Sequence, residues 1–179
     1  MKENEAYITP TIEIIDEIEP LTKKPVHIVD LPGHEKLRFK FTEFAPIVRG
    51  IIFLIDSATC SKNYRQISEY LYDIFSNKDI AKKKVSVLIA CNKNDLLTAL
   101  PPEKIQASLQ NEINRLRATR TAALEHQDSL SEDAEYLGYE NEDFKFEHLE
   151  NRVEFVSCSV ENDKVKHLKE WIADVYSGY

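Results

Sequence analysis

The chain has 179 residues, 42% of them hydrophobic and 30% charged, with a formal charge of -8 and a pI near 5.2. This length suits one α/β domain with a substantial core, and the acidic balance argues against a nucleic-acid binder, which would need a basic face. No run of 18 apolar residues is present, so no stretch reads as a membrane-spanning helix, and MKENEAYITP at the start reads as neither a signal nor a transit peptide.

Strand-like and helix-like stretches alternate along the chain. Residues 7–19, YITPTIEIIDEIE, alternate apolar and polar side chains, the pattern of a half-buried edge strand. PLTKK makes a turn into a second strand, PVHIVD at 25–30. GIIFLID at 50–56 is nearly continuous in apolar residues, which predicts a strand covered on both faces. Ser61 is a candidate N-cap for a helix over 61–75, with Tyr64, Ile67, Tyr70, Leu71 and Ile74 at helical spacing. VSVLIACN at 85–92 predicts another buried strand, and 101–125 a long helix with proline in its first turn. Residues 126–143 are polar, acidic and aperiodic, and read as a flexible insertion loop. A strand at 153–159 and an amphipathic helix at 163–176 close the chain. Cys60, Cys91 and Cys158 form no CxxC pair and fit reduced cytosolic thiols, the latter two in apolar runs.

Alternating βα units imply a doubly wound, mainly parallel sheet flanked by helices, with ligands bound beyond the carboxyl ends of the strands. Three of those exits carry unusual chemistry. In Asp30-Leu31-Pro32-Gly33-His34, an acid ending a strand can hold Mg²⁺ through water. Gly33 offers a backbone N–H to a γ-phosphate without a Cβ in the way, and His34 stands where an attacking water would need orienting. In Asn92-Lys93-Asn94-Asp95, the Asp95 carboxylate can accept from both guanine donors, N1–H and the exocyclic amine, which adenine cannot supply. Asn92 can bridge loops, and the Lys93 stem can lie over a base. After the last strand, Ser157-Cys158-Ser159-Val160 is a small-residue turn able to present an N–H to the guanine carbonyl, a weak signal by itself.

Residues 31–91 leave room for a helix, strand, helix and strand between the first two exits, the separation found in small GTPases. The chain resembles a Ras-like small GTPase over nearly its whole length. DLPGHEKLR, GIIFLIDSA, LIACNKNDL, RATRTAA and FKFEHLENRVEFVSCS make it similar to the beta-subunit family of the signal recognition particle receptor. The resemblance implies a single domain over 1–179, with Asp30 and Gly33 in the second switch and His34 in place of the usual glutamine. It also implies that Asn92, Lys93 and Asp95 recognise guanine, with Ser159 and Val160 as the third nucleotide element. Val160 replaces the usual alanine, and Glu161 stands where lysine is common. Thr11 resembles the Mg²⁺-binding threonine of the first switch, with Thr9 as a rival.

The phosphate-cradling GxxxxGK[ST] pattern does not occur, because none of Gly33, Gly50, Gly138 and Gly178 precedes a lysine. The resemblance therefore implies a truncated domain without its usual central first strand, which would lie between 25–30 and 50–56, and without the family's amino-terminal membrane helix. Losing such a strand leaves two ladders unpaired, at roughly 1–3 kcal/mol for each buried hydrogen bond.

The family implies GTP and Mg²⁺ as cofactors, GTPase activity, and the receptor alpha subunit as partner, with ribosome and translocon beyond it. It implies a place at the cytosolic face of the endoplasmic reticulum membrane, reached only through a segment outside this sequence. Two other functions compete. A nucleotide-free interaction module would have no need of the Asp95 carboxylate. An Arf-type trafficking GTPase shares the switch logic but matches LIAC before NKND and the acidic insertion less well.

Overall fold

A computed structural model describes residues 11–15, 26–125 and 136–177, with the backbone alone described for 11–15 and 121–125. Strands β1 (Thr11–Ile15) and β2 (Val26–Asp30) form an antiparallel hairpin. A 3-10 helix at Glu35–Lys40 and a short helix, α1 (Phe41–Phe44), lead to β3 (Gly50–Asp56). After it come α2 (Tyr64–Phe75), α3 (Lys78–Lys82), β4 (Ser86–Asn92), α4 (Pro102–Glu125), β5 (Val153–Ser157) and α5 (Lys166–Ser177). The strand expected at 7–19 is described only as β1, since 7–10 and 16–19 lie outside the described residues. Asn63, not Ser61, occupies the N-cap position of α2 and makes no side-chain cap bond. Ser61 is instead inside a 3-10 turn, Cys60–Lys62, that delays the helix. Asn77 does cap α3, its Oδ1 accepting from the N–H groups of Asp79 and Ile80 at 3.0 and 3.3 Å.

Strands β3, β4 and β5 form a parallel sheet with β4 in the centre. β4 is buried on both faces, as its unbroken VLIAC run requires. On one face Val87, Ile89 and Cys91 join Leu71 and Phe75 of α2 and Leu109 of α4 in the main core. The helical periods of α2 and α4 supply the matching apolar stripes. On the other face, α5 lays Trp171 against Gly50, and its indole N–H donates to Glu154 Oε1 at 2.9 Å.

β3 departs from the expectation that it is covered on both faces. Ile52 and Leu54, in register with the fully buried Leu88 and Ala90, remain 37% and 57% exposed. The outer edge of β3 has no ladder partner among the described residues, and the β1–β2 hairpin forms a separate sheet. The break falls between β2 and β3, the position at which a central strand is expected from the sequence. A run of apolar residues identifies a strand with two apolar faces but does not supply the helix that would cover the second.

The flexible loop expected at 126–143 is in part anchored. Residues 126–135 lie outside the described residues, but 136–143 pack on α4 through buried Arg117. Its guanidinium donates to the Glu142 carbonyl at 3.0 Å, to the Tyr139 carbonyl and to the Tyr136 hydroxyl, and lies over the Tyr136 ring. Leu137 and Phe144 enter the core alongside. The acidic composition of this stretch hides one apolar anchor, Leu137, and two carbonyl acceptors for one arginine on the preceding helix.

Gly50 is required by packing, since a Cβ there would lie 3.0 Å from both Trp171 Cη2 and Val175 Cγ1. Gly50→Ala should therefore lower stability by about 1–3 kcal/mol, the range for overpacking, with a change in Trp171 fluorescence. Urea unfolding followed at that tryptophan checks this, and an unchanged midpoint would show that α5 moves away freely.

Candidate functional site

The parallel ladder brings the carboxyl ends of three strands together, with Asp56 of β3 in register with Asn92 of β4, and Cys91 with Ser157 of β5. Beyond Asn92 the backbone turns through Lys93, whose φ of 66° lies in the left-handed region. The Lys93 ammonium donates to Asp56 Oδ2 at 2.7 Å, while Asp56 Oδ1 accepts from the Ala58 N–H at 2.9 Å. The Lys93 hydrogen bond holds the Asp56 carboxyl below its ordinary range, against the opposing effect of burial.

Asp95 faces the third strand exit. Its Oδ1 accepts from the Ser159 hydroxyl at 2.5 Å, and the same hydroxyl oxygen accepts from the Asn162 N–H at 3.2 Å. The Ser159 proton is thus committed to Asp95, and this bond is the main cause of a lowered Asp95 pKa. Asn92 Oδ1 accepts from the Val160 N–H at 3.1 Å, and the Asn94 N–H donates to the Cys158 carbonyl at 3.1 Å. Three of these bonds tie the two loops into one platform with an anionic, exposed Asp95, and the Asn162 bond braces Ser159 within its own loop. The bridging expected of Asn92 is present. Lys93 points its ammonium at Asp56, and the Val160 N–H is engaged by Asn92.

The cysteines beneath this platform are not nucleophiles. Burial, with neighbouring Cys158 and Cys60, pushes the Cys91 thiol up to about 12, and burial raises Cys60 and Cys158 as well. Thiols held protonated in this way pack as small apolar groups.

The first strand exit is built separately. Asp30 is exposed at the end of β2, and the hairpin register places Thr11 opposite it. Thr9 lies outside the described residues. Gly33 is open, with nothing within 4 Å of a Cβ built there. His34 caps the following 3-10 helix, its Nδ1 accepting from the Lys36 N–H at 3.3 Å. Among the described residues no hydrogen bond or ion pair joins Asp30, Gly33 or His34 to the Asn92–Asp95 platform.

Asp56 is the site residue that sequence reasoning missed. Its signal was available, since an acid closes GIIFLID just as Asp30 closes PVHIVD. What the sequence did not show is that the left-handed turn at Lys93 would send the ammonium across to the neighbouring strand.

Residues 4–153 match the family model described as the signal recognition particle receptor beta subunit. The chain is 35% identical to the signal recognition particle receptor subunit beta of Mus musculus over 156 residues, 83% of this chain and 58% of the mouse protein. It thus spans somewhat more than half the length of that relative. A solved structure of the mammalian SRP receptor matches with a TM-score of 0.81 and 30% identity, covering 97% of this chain and 86% of that one. The receptor SRb-GDP-Mg from Chaetomium thermophilum matches with a TM-score of 0.67 and 26% identity, over 82% of this chain and 77% of that one.

Both carboxylates in the platform have lowered pKa values, so their bonds favour the ionised form. The stabilising effect is therefore present above the ordinary aspartate value of 3.8 and is lost as pH falls through the lowered values. Carboxyl-carbon NMR titration should place both midpoints below 3.8. Ser159→Ala should raise the Asp95 midpoint and leave that of Asp56 in place, while Lys93→Met should raise that of Asp56. An Asp95 midpoint indifferent to Ser159→Ala would remove the bond from the account.

Proposed function

We propose that this chain, which belongs to the signal recognition particle receptor beta subunit family, reads guanine nucleotide through Asp95 as part of a regulatory switch in protein targeting. The observation that carries this reading is the platform itself. Ser159 holds Asp95 ionised at 2.5 Å, and Asn92 clamps the adjoining loop through the Val160 N–H at 3.1 Å. An ionised carboxylate on a rigid loop is an acceptor for the two donors on guanine's edge and has nothing to offer adenine at the same positions. Lys93, paired with Asp56, supplies an aliphatic stem for the base plane, and small movements of Val160 away from Asn92 would free its N–H for the guanine carbonyl.

The hairpin fits the metal of such a switch. Thr11 and Asp30 are register partners in the hairpin backbone, and a threonine and an aspartate are residue types whose hard oxygens suit Mg²⁺. Bound there, the ion would neutralise phosphate charge. Gly33 has open space where a Cβ would stand, so a γ-phosphate could approach its backbone, and His34 keeps Nε2 for a water while Nδ1 accepts from the Lys36 N–H. These 179 residues contain no glycine loop followed by lysine, so the part of the site they carry is base recognition and the second switch. The partner is the receptor alpha subunit, gripped in the GTP state at the cytosolic face of the endoplasmic reticulum and, through it, coupled to ribosome and translocon. GTP hydrolysis resets the switch.

Asp95→Asn exchanges an acceptor for an amide donor that suits xanthine and opposes guanine's amine. Fluorescent-nucleotide titration should show guanine affinity falling by on the order of 10²-fold while xanthine binding rises, following the cost of unpaired polar groups. Unchanged preference for guanine would sink the assignment. Gly33→Ala should change stability by less than about 1 kcal/mol, because a Cβ meets nothing there and φ is not positive. Any role of Gly33 then belongs to the GTP conformation. The variant should keep GDP binding and lose GTP-dependent capture of the alpha subunit, and equal losses in both would reduce Gly33 to a turn residue.

A further inference from the structure

The amino ends of the parallel strands, opposite the platform, carry a cationic patch that includes an exposed apolar side chain. Lys82, Lys83 and Lys84 are consecutive and exposed at the end of α3, with exposed Lys78 one helical turn earlier. Lys84 adopts a φ of 52°, turning the chain abruptly into β4. Across from them runs the loop 45–49, which enters β3. The Lys83 ammonium donates to the Pro46 carbonyl, so the two segments are joined directly. Ala45 packs with Ile80 and Val85 beneath, fixing the loop on α3 from below. Ile47 stands out from this loop 75% exposed, although one residue away on either side Pro46 is tied to Lys83 and Val48 packs on the core. Exposed Arg49 follows, held over the Tyr176 ring at 5.2 Å.

We propose that this patch, exposed Ile47 and Arg49 on one loop joined through Pro46 and Lys83 to the segment bearing Lys78, Lys82 and Lys84, is a contact surface for an anionic lipid bilayer. The two segments carry a single carboxylate of their own, Asp79, and Lys84 also meets Glu150 at 3.0 Å. The chain as a whole is acidic, with 31 carboxylates against 23 lysines and arginines, five of those cations being in this patch. A negatively charged surface therefore repels most of the molecule and attracts this end of it, which orients the approach. Lysines beside an exposed aliphatic side chain suit the headgroup boundary, where ammonium groups meet phosphate and serine carboxylates while the apolar tip enters below them. A nucleic-acid surface would have no use for the isoleucine and finds no stacking aromatic among these side chains. Because β3 and β4 are parallel, docking at their amino ends leaves Asp56, Asn92 and Asp95 facing away from the bilayer. The proposal holds whether or not that far end binds nucleotide, and it adds a lipid contact within the domain to the anchoring segment that the family resemblance implies.

The test is flotation of the chain with phosphatidylcholine vesicles, with and without about 30% phosphatidylserine, at low and physiological salt. Binding should require the anionic lipid and weaken with salt. Lys82→Glu with Lys83→Glu should reduce vesicle binding at least about tenfold, given the contribution of each lysine near such a surface. Ile47→Ser should reduce it several-fold without altering thermal stability, which covers the case of a double variant that does not fold. Lys166→Glu with Lys169→Glu makes the same charge change at the other end and should leave binding close to that of the unaltered chain. No preference for anionic vesicles, or equal losses from the two charge-reversed pairs, overturns the proposal. So does RNA binding that depends on Lys82 and Lys83 and competes with vesicles while Ile47→Ser has no effect, which marks a general polyanion surface.

Discussion

The rest of the molecule depends on the parallel ladder through β4. This strand is hydrogen-bonded on both edges and apolar on both faces, so it fixes the register of β3 and β5 and the planes on which α2, α4 and α5 lie. A parallel arrangement also gives the sheet a direction. Asp56, Asn92 and the turn after Ser157 must emerge together, because their strands run alike and pair in register. No loop needs to be long to make them meet, and the Asp95–Ser159 bond at 2.5 Å follows from two short excursions beyond neighbouring strands. The connections that permit this, β3 to β4 and β4 to β5, are the helical crossovers that parallel pairing demands.

The same ladder makes β3 anomalous. It is the sheet's edge, yet its sequence is that of a central strand, with apolar residues at positions that alternate between faces. The α2 side is satisfied by Phe53 and Ile55, whereas Ile52 and Leu54 look out on the α5 side. Edge strands ordinarily carry charges or proline on such positions. Between Gly50 and Asp56 there are none, so the composition of β3 fits a strand evolved for two neighbours and two covers. Among the described residues its outer edge nevertheless has no partner.

Much of this was legible because the strongest signals are local. A buried strand followed by NKxD places a carboxylate at a strand exit whatever the remainder of the fold does, and the helical stripes of α2 and α4 follow from spacing alone. What escaped were features set by contact between distant segments. Arg117 lies on the helix 101–125, and nothing in its neighbourhood says that it will hold the carbonyls of Tyr139 and Glu142. The acidic stretch accordingly read as loop throughout, although Leu137 and Phe144 anchor its end. The Asp56–Lys93 pair is another such case, because it needs the left-handed turn at Lys93 as well as the register of two strands. Composition also counted Lys82, Lys83 and Lys84 into an overall acidic sum, which conceals that they face one end of the sheet.

The two ends of the sheet are therefore chemically distinct and mechanically joined. At the carboxyl ends, ionised carboxylates are held by short bonds from Ser159 and Lys93. At the amino ends, backbone carbonyls are the acceptors, with the Asn151 amide donating to Ile80 and Val85 at 3.1 and 2.9 Å and Lys83 to Pro46. Between them, the interior of β4 from Val87 to Cys91 is fully buried and carries only apolar side chains, the centre of a packed slab. Such a slab transmits little from one end to the other unless the strands themselves shift, and a seven-residue ladder resists that. Substitutions at one end should thus act independently of those at the other, as distant sites without shared partners do. One segment joins the two ends by its chain path and by packing rather than by ladder pairing. The segment after β2 starts at Gly33 and His34, runs through the 3-10 helix and α1, and reaches Pro46 and Ile47 beside Lys83. The chain thus runs from the first strand exit to the amino ends of the sheet outside the β3–β4–β5 ladder.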